Sequence, residues 1–585
     1  MAWKMLPAAS KLFPALVRAG KTTPPRPPPP AARNSPSPTV HRHAPPPAAR
    51  LAGAGTTTTT LVVDVDGALL LSRSLFPYFM LVALEAGGFL RPLALLLLYP
   101  AIRCCRLGGG GDLAVRAMAA VAFCGLRART FRAGRAVLPR WLLEDVAAEA
   151  LDAARRAGDG DLERVVWASA MPRVMVEPFL REYLQLQLPA PAAVAAREMK
   201  TAWGFYTGLM ERDEDCEAMA LMTASAREGG GGDVVGFSGA GSVEFLSSRL
   251  ASICKEVYVV SAEEQSKWRR LARRDYPTPL VFHDGRLAFL PTPLNTVAMF
   301  TWLPLGAALA VLRLAVGLAL PYRVATALLA ATGQSWRLRG SLPVPPPGNG
   351  GGGGSSAGSA GQLYACNHRT LIDPVYVSIA LDRPVRAVSY SLSRVSDLIS
   401  PIGATVRLAR DRARDGAAMA RLLARGDSVV VCPEGTTCRE PYLLRFSPLF
   451  AELGGAAGVV PVALAVDTSM FYGTTASGWK AVDPFYYLSN PRACYTVQFL
   501  DRVDTAGVVS DGKATSADVA NRVQRLIAEA LGYECTMFTR KDKYLMLVGN
   551  DGAVAAPPIR SKLARVPTCM RLFVASCSLA AHMSI

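Results

Sequence analysis

The segment Asn367–Asp373 (NHRTLID) constrains this chain more than any other, because it places a histidine and an aspartate five positions apart, directly after the short apolar run Leu363–Cys366. An aspartate can accept a hydrogen bond from one imidazole nitrogen and leave the other nitrogen of His368 free as a general base. Five positions lie about 140° apart on a regular helix, so His368 and Asp373 can meet only across a turn or a helix start. A surface histidine beside a helix-capping aspartate would show the same spacing. The sequence after Asp373 is needed to distinguish this arrangement from a general base and its orienting carboxylate.

Three further blocks follow in order. The run Ser428–Val430 precedes the motif Cys432–Thr436 (CPEGT), a pattern typical of a buried strand that breaks into a Gly/Pro turn. Between the two motifs lies an arginine-rich block, residues 405–412 (TVRLARDR), and after them comes VVPVA at residues 459–463. This order resembles the glycerolipid acyltransferases, and in particular the land-plant glycerol-3-phosphate acyltransferase family. The resemblance covers about Thr60 to Gly552.

The resemblance implies a role for each motif. His368 is the expected general base and Asp373 orients it, while Asn367 and the amides near Gly435 are candidates for the oxyanion environment. The residues expected to hold the acceptor are Arg410, Glu434, Gly435, Thr436 and Arg439. Arg410 is the expected phosphate contact, although Arg407 and Arg412 lie close enough to replace it, and Arg414 fits a solvated charge run. Pro461 is expected to shape the acyl channel. No metal or prosthetic group is required; acyl-CoA is a co-substrate.

A separate unit precedes this region. The run Leu61–Val63 leads into Asp64 and Asp66, a spacing that directs two carboxylates from the end of one strand toward one pocket. This resembles the first motif of haloacid-dehalogenase-type phosphatases, and Ser169 occupies the position that would bind the phosphoryl group. The third motif should supply further metal-binding acids, but residues 236–243 (GFSGAGSV) contain none. Asp233 is an alternative ligand, and otherwise the unit is predicted to be an inactive scaffold or membrane anchor.

Two regions are predicted to associate with a membrane. Val297–Tyr322 contains a single charge, Arg313, and is long enough to span a bilayer, which takes roughly 20 residues. A further apolar run follows at Val324–Thr332. Leu75–Ile102 contains two shorter apolar runs, which fit a re-entrant or interfacial hairpin. The formal net charge of +18 suits an anionic bilayer and phosphate-bearing substrates. Nucleic-acid binding is not expected, because no motif interleaves aromatic with basic residues.

These observations predict an α/β protein with a phosphatase-like α/β domain, hydrophobic membrane segments and an acyltransferase α/β domain. The predicted segments are a basic, Pro-rich targeting or disordered part (1–60), the phosphatase-like domain with a membrane-associated insertion at 75–102 (61–291), a transmembrane or membrane-embedded region (292–333), the acyltransferase domain (334–552) and an unassigned tail (553–585). The low-complexity run at 344–361 is interpreted as an expanded surface loop. An endoplasmic reticulum membrane is the expected location, and the acid-free N-terminus also fits mitochondrial targeting.

The predicted function is transfer of an acyl group from acyl-CoA to glycerol 3-phosphate, which forms lysophosphatidate. Two alternatives stay open: a bifunctional acyltransferase and phosphatase that yields monoacylglycerol, and a lysophospholipid acyltransferase. A non-catalytic membrane protein would not need the HxxxxD pair. The acylated hydroxyl, the preferred acyl chain and the oligomeric state do not follow from the sequence.

Overall fold

A computed structural model of the chain describes residues 39–42, 59–158, 162–184, 192–211, 234–239, 242, 245, 249–343, 361–389, 405–409, 411–453, 458–478, 480–505 and 515–550. The predicted positions Asp233 and Arg410, the low-complexity run at 344–360 and the tail at 553–585 lie outside these residues, as does most of the segment 1–60.

A six-stranded sheet forms the centre of the first domain. Its strands are β1 (Thr39–Arg42), β2 (Thr59–Asp64), β3 (Leu162–Ala168), β4 (Ala192–Ala195), β7 (Val234–Gly239) and β8 (Glu256–Val260). They pair in the order β1-β8-β7-β2-β3-β4, and each pair is parallel. Such strands are apolar because helices cover both faces of a parallel sheet. The structure differs from the sequence interpretation at β1, which lies within the segment 1–60 and yet forms the edge strand.

Helices and a hairpin surround this sheet. The hairpin consists of β5 (Met199–Ala202) and β6 (Phe205–Met210). The helices are α1 (Phe76–Gly87), α2 (Leu90–Leu107), α3 (Gly111–Phe123), α4 (Ala133–Ala136), α5 (Leu138–Leu143), α6 (Ala148–Gly158), α7 (Arg173–Phe179), α8 (Arg249–Ile253) and α9 (Ala262–Ser266).

The region 75–102, predicted to be membrane-associated, divides in two. Phe76–Ala83 of α1 are buried in the core of the domain, whereas α2 exposes several leucines. Burial of α1 is explained by its packing against both α2 and α3.

A second sheet of seven strands organises the acyltransferase domain. Its strands are β9 (Gln334–Arg339), β10 (Leu363–Cys366), β11 (Arg386–Ser389), β12 (Val406–Arg407), β13 (Val429–Val431), β15 (Val459–Thr468) and β16 (Ala493–Phe499). The order is β12-β11-β13-β10-β15-β16-β9, and only β15 and β16 pair antiparallel. The neighbours β10 and β13 end directly before the NHRTLID and PEGT motifs, so their carboxyl ends bring the two motifs together. The predicted α/β class is confirmed.

The remaining elements connect and cover this sheet. A small parallel pair joins β14 (Tyr442–Leu443) to β17 (Glu534–Cys535). The helices are α10 (Pro293–Ala319), α11 (Tyr322–Ala331), α12 (Asp373–Leu381), α13 (Arg412–Ala424), α14 (Asp483–Leu488), α15 (Ser516–Leu531) and α16 (Arg540–Val548). The 27-residue α10 is the one helix in the described part of the chain that is long and apolar enough to cross a membrane, a criterion of length and composition that some core helices also meet.

Arg313, the single charge within α10, is buried against the acyltransferase domain. Its guanidinium donates hydrogen bonds to the carbonyl oxygens of Leu488 (2.5 Å) and Asn490 (2.7 Å), to the Thr332 hydroxyl (3.1 Å) and to the Thr332 carbonyl. In the structure Arg313 binds α10 to the turn after α14 and to the end of α11.

We expect the substitution Arg313→Met to lower the free energy of unfolding by about 2–4 kcal/mol, because it leaves buried carbonyl groups without donors. Chemical denaturation in detergent measures this loss. The matched control is Arg323→Met on α11, where the side chain is exposed and the expected change is below about 0.5 kcal/mol. Equal stability of the two variants would contradict the role given to Arg313.

Candidate functional site

His368 and Asp373 meet at the start of α12. The strand β10 ends at Cys366, a turn follows, and α12 begins at Asp373 with Pro374 in its first turn. His368 Nδ1 lies 2.8 Å from Asp373 Oδ2. The two side chains meet as the five-residue spacing predicts, because His368 lies just outside a helix that begins at Asp373. The His368 side chain is 17% exposed and the carboxylate is fully buried, so the ring forms the border between the protein interior and a cavity.

Asp373 is held by several donors besides His368. Its Oδ2 atom accepts from the Arg369 amide (2.7 Å), and its Oδ1 atom accepts from the Thr370 amide (2.9 Å), the Thr370 hydroxyl (3.1 Å) and the Tyr495 hydroxyl. A carboxylate offers about four lone-pair positions, so these contacts occupy them all. His368, Asp373 and Cys432 are the one group of three potential metal ligands in the described residues. The saturated carboxylate favours a fixed orienting role for Asp373 over metal binding.

Tyr495 is a site residue that the sequence did not indicate. It lies on β16, 122 positions after Asp373, and its hydroxyl also lies 2.6 Å from the Thr370 hydroxyl. Its ring stacks on Tyr376 with 3.8 Å between ring centroids. No local pattern marks a tyrosine on an antiparallel strand as a catalytic neighbour, and only the pairing of the strands brings it here.

The Glu434 carboxylate fixes the turn that carries His368. Its Oε1 atom accepts the His368 backbone N–H (2.7 Å) and its Oε2 atom accepts the Leu444 N–H (3.0 Å). Burial raises the pKa of Glu434 to about 7, even though both backbone N–H groups and the charges of His368 and Arg369 favour the carboxylate. Both oxygens are engaged by the protein, whereas the sequence interpretation directed this side chain to a glycerol hydroxyl.

The oxyanion candidates are also engaged within the protein. The Asn367 side chain donates to the Leu464 carbonyl (2.9 Å) and accepts the Leu464 N–H (2.7 Å), so it fixes β10 to β15. The Gly435 amide donates to the Cys432 carbonyl (3.1 Å). Gly435 itself has a φ of +66° with open space around its Cα, so the glycine is required by its backbone conformation and leaves the turn open to a ligand.

Thr436 and Arg439, the other two predicted acceptor residues, contact charged side chains of the protein. The buried Thr436 hydroxyl lies 3.4 Å from the Lys543 ammonium. Arg439 is buried, lies 3.7 Å from Asp284 of the first domain, and places its guanidinium over the Tyr472 ring at 4.4 Å from the centroid. The structure therefore does not bring Thr436 and Arg439 to His368 as open ligand contacts.

The arginine block lies at the sheet edge that β12 forms, and two of its residues, Thr405 and Leu408, line the same cavity as His368. Arg407 is exposed in β12, and Arg412 is exposed and forms an ion pair with Glu452. Arg414 belongs to the first turn of α13, whose N-cap is Asp411. Since Arg410 lies outside the described residues, its side chain has no assigned position.

Two cysteines lie next to His368. Cys366 ends β10 and Cys432 follows β13, and their sulfur atoms are 3.4 Å apart. Burial opposes a charged imidazolium, but the Cys432 sulfur and the hydrogen-bonded Asp373 carboxylate outweigh it and raise the pKa of His368 well above 6.5. The parallel pairing of β10 and β13 brings these two cysteines together.

An apolar cavity of about 220 Å³ opens beside His368 and Cys432. Residues of α10, α11, α12 and the loops after β13 line it, among them Leu314, Leu318, Leu329, Val375, Ile379 and Leu449. A groove with an ionisable base at one end and apolar walls elsewhere fits a substrate whose reactive carbonyl carries a hydrocarbon chain.

The acidic pair of the first domain occupies a different cavity, of about 1020 Å³. Asp66 accepts hydrogen bonds from the Ser169 hydroxyl (2.8 Å) and the Ala170 amide (2.6 Å), so the predicted second motif does meet the first. Asp64 Oδ2 accepts from the Ser238 hydroxyl at 2.6 Å. No third histidine, cysteine or carboxylate joins this pair among the residues described.

The geometry at Gly239 explains why an acid is missing. A Cβ atom built on Gly239 would lie 1.9 Å from the Gly67 carbonyl oxygen, so no side chain fits there without movement of the backbone. Mg²⁺ in such sites prefers several carboxylate and carbonyl oxygens. With serine and glycine where further acids would be required, the described residues do not fit a Mg²⁺ ion.

Comparison with known proteins gives matches over both domains. The family model described as "Glycerol-3-phosphate acyltransferase RAM2-like, HAD-like domain" matches residues 60–260, and the family model "Acyltransferase" matches residues 351–465. The chain is 46% identical over 502 residues to "Probable glycerol-3-phosphate acyltransferase 2" of Arabidopsis thaliana, which covers 84% of this chain and 90% of that protein. It is 43% identical to "Glycerol-3-phosphate acyltransferase 1" of Arabidopsis thaliana, covering 84% and 81% of the two chains. It is 41% identical to "Glycerol-3-phosphate acyltransferase RAM2" of Petunia hybrida, covering 84% and 98%.

Proposed function

Because this chain belongs to the plant glycerol-3-phosphate acyltransferase family, we propose that it transfers an acyl group from acyl-CoA to a hydroxyl of glycerol 3-phosphate and forms lysophosphatidate. The observation that carries the proposal is the His368–Asp373 pair at the end of an apolar cavity. An acyl chain in the cavity would bring its thioester carbonyl to the imidazole, where an acceptor hydroxyl can lose its proton.

The chemical step follows from this geometry. Asp373 accepts the Nδ1–H of His368 and so keeps Nε2 free as the base. Nε2 takes the proton of the acceptor hydroxyl while its oxygen attacks the thioester carbonyl. The tetrahedral intermediate collapses, the carbon–sulfur bond breaks, and the imidazolium returns the proton to the CoA sulfur. We propose that no metal or prosthetic group takes part, because the step needs only a base that accepts the hydroxyl proton and returns it to the sulfur.

The acceptor phosphate is assigned to the arginine block, with Arg410 as the first candidate. Arginine suits phosphate because its planar fork can donate two hydrogen bonds to one group. Arg412 is less suitable, because its ion pair with Glu452 already engages the guanidinium. The Cys366–Asp373 and Val431–Gly435 segments then hold the reacting groups, and the arginine block holds the anion.

The phosphatase-like domain is proposed to lack phosphatase activity, because Ser238 and Gly239 stand where metal-binding acids are required. The product would therefore keep its phosphate. The exposed apolar surface of α10 and the lipid substrate favour a membrane location, for which we propose the endoplasmic reticulum, with mitochondria as the alternative.

The test is an assay of detergent-solubilised protein with labelled glycerol 3-phosphate and a panel of acyl-CoAs, with products separated by positional isomer and phosphate content. We expect lysophosphatidate, and its isomer gives the acylated hydroxyl. Monoacylglycerol whose formation is lost in Asp64→Asn would show an active phosphatase. If glycerol 3-phosphate is not acylated by any donor but a lysophospholipid is, the proposed acceptor is wrong.

The pH dependence of kcat/KM provides an independent prediction. Only the neutral imidazole can accept a proton, and the pKa of His368 is raised above 6.5, so activity should fall as the pH decreases through a value higher than 6.5. The substitution Asp373→Asn removes the carboxylate that stabilises the imidazolium, so the residual activity should show this decrease at a lower pH. A profile with the same acid limb in both proteins would argue against His368 as the titrating base.

A further inference from the structure

The surface formed by α2, α10 and α11 is apolar and free of acidic residues. Leu90 on α2 is 82% exposed, and Leu305 and Leu312 on α10 are 64% and 53% exposed. The sequence contains no aspartate or glutamate between Glu85 and Asp112, or between Asp284 and Asp373. The charged side chains exposed on α2 and α11 include Arg103 and Arg323. An apolar surface bordered by cations complements an anionic lipid bilayer.

The three helices form one surface although they come from different parts of the fold. The long helix α10 contacts both α2 of the first domain and α11. Its protein-facing side is the stripe Thr296, Met299, Gly306, Ala310 and Arg313, which is buried. The leucines at 305 and 312 lie on the opposite side and have no covering element in the described structure.

The middle of α10 is bound to the acyltransferase domain, which is incompatible with a transmembrane path. A Cβ atom on Gly306, the central residue of α10, would lie 2.9 Å from the Ser489 carbonyl oxygen, and Trp302 Nε1 donates to the same oxygen at 2.9 Å. Arg313 bonds to the next carbonyl on the same turn, that of Asn490. A spanning helix would carry its middle, and this polar turn with it, into the hydrocarbon core.

The two ends of α10 also lie on the same side of any membrane. The helix leaves the first domain and enters the acyltransferase domain, and these domains contact each other directly. Glu440 of the acyltransferase domain is buried and bonded to Arg140 (3.1 Å), Arg273 (2.7 Å) and His283 (2.7 Å) of the first domain. Two domains joined by a buried ion cluster cannot lie on opposite sides of a bilayer.

We propose that α2, α10 and α11 form a docking face that lies in the plane of one anionic leaflet, with none of these three helices crossing the bilayer. This inference rests on the proposed function only in that the lipid substrate provides a reason for docking. Leu318 lines the acyl cavity and is also exposed, so the cavity opens at the docking face. An acyl chain can then move between the leaflet and His368 without crossing water.

The membrane topology is tested with the full-length chain in sealed vesicles made of phosphatidylcholine and phosphatidylserine. Single substitutions Ser266→Cys, before α10, and Ser341→Cys, after α11, introduce thiols at exposed positions. A membrane-impermeant maleimide is added outside, and labelled peptides are identified by mass spectrometry so that native cysteines do not interfere. Docking in the plane predicts that both positions are labelled to the same extent before permeabilisation. Protection of one position until detergent is added would overturn the proposal.

Binding is tested by co-sedimentation with the same vesicles. The double variant Leu305→Ser/Leu312→Ser should bind at least about tenfold more weakly, because it removes two large apolar side chains from the contact. The matched control is Leu545→Ser on α16, an exposed leucine outside the docking face, which should bind like the wild type. Omission of phosphatidylserine should also weaken wild-type binding.

Activity in detergent separates the two proposals. If the double variant acylates glycerol 3-phosphate normally in micelles but does not bind vesicles, both proposals are supported. If the wild type binds vesicles as predicted but is inactive toward every acyl-CoA, the docking face remains and the proposed function fails. Unchanged vesicle binding of the double variant would refute the docking face even when acyl transfer is confirmed.

Discussion

Replacement of His368 by alanine is expected to lower kcat/KM for acyl transfer by about 10²- to 10⁴-fold, the range typical for loss of a positioned general base. The physical reason is the geometry at the start of α12. Asp373 orients the ring through Nδ1, and no other described base takes the position that Nε2 occupies beside the apolar cavity.

The same substitution should leave the fold intact. The imidazole is part exposed at the cavity border, and the contact that fixes the turn runs from the His368 backbone N–H to Glu434, which alanine preserves. Steady-state kinetics in detergent and thermal denaturation should therefore separate the two effects. A large loss of thermal stability in His368→Ala, or retention of more than about a tenth of the activity, would contradict the proposed role.

The second large effect is expected at Glu440, where the first domain supports the acyltransferase site. The Arg369 guanidinium, next to His368 in the chain, donates to the backbone carbonyls of Arg439 (2.5 Å) and Glu440 (3.0 Å). The Glu440 side chain in turn binds cationic residues of the first domain. This chain of contacts connects the loop that carries His368 to the phosphatase-like domain, and it gives that domain a structural role even without phosphatase activity.

The substitution Glu440→Ala should lower the free energy of unfolding by about 2–3 kcal/mol, because Arg140 and Arg273 would lose their buried partner and keep only Glu144. Glu440→Gln keeps the shape and should cost less. Chemical denaturation at pH 7 measures both variants. Arg269→Ala serves as control, since its ion pair with Glu149 is exposed and contributes below about 1 kcal/mol. Similar losses in Glu440→Ala and Arg269→Ala would contradict the supporting role.

The stability that the Glu440 carboxylate contributes depends on pH. Burial opposes ionisation of Glu440, but His283, Arg140 and Arg273 outweigh it and hold the pKa of Glu440 at about 2. A lowered carboxylate pKa contributes stability that is fully present above the ordinary value of 4.5 and is lost as the pH falls toward 2. Burial lowers the pKa of His283 to about 4, so its ring is neutral at pH 7 and Arg140 and Arg273 supply the positive charge. The difference between wild type and Glu440→Gln should therefore shrink below about pH 4.5.

The sequence by itself determined the family and the class of the fold. Each motif was predicted to follow a buried apolar run, and β10 and β13 end just before the two motifs. The five-residue spacing of His368 and Asp373 required a helix start, and α12 begins at Asp373. These features are local, because the chain within a few residues of each motif sets the backbone conformation and the residue types set the reactivity.

Only the tertiary structure decided which partners those residues have. Tyr495 and Cys432 reach the site through strand pairing, Glu440 binds residues about 170 to 300 positions earlier in the chain, and Glu434 faces the His368 amide instead of a ligand. Hydropathy marked α10 as a candidate membrane span, and only the structure shows that Gly306 and Arg313 are buried against the turn after α14. A hydropathy pattern records how apolar a helix is, whereas its path depends on contacts made by residues far away in the sequence.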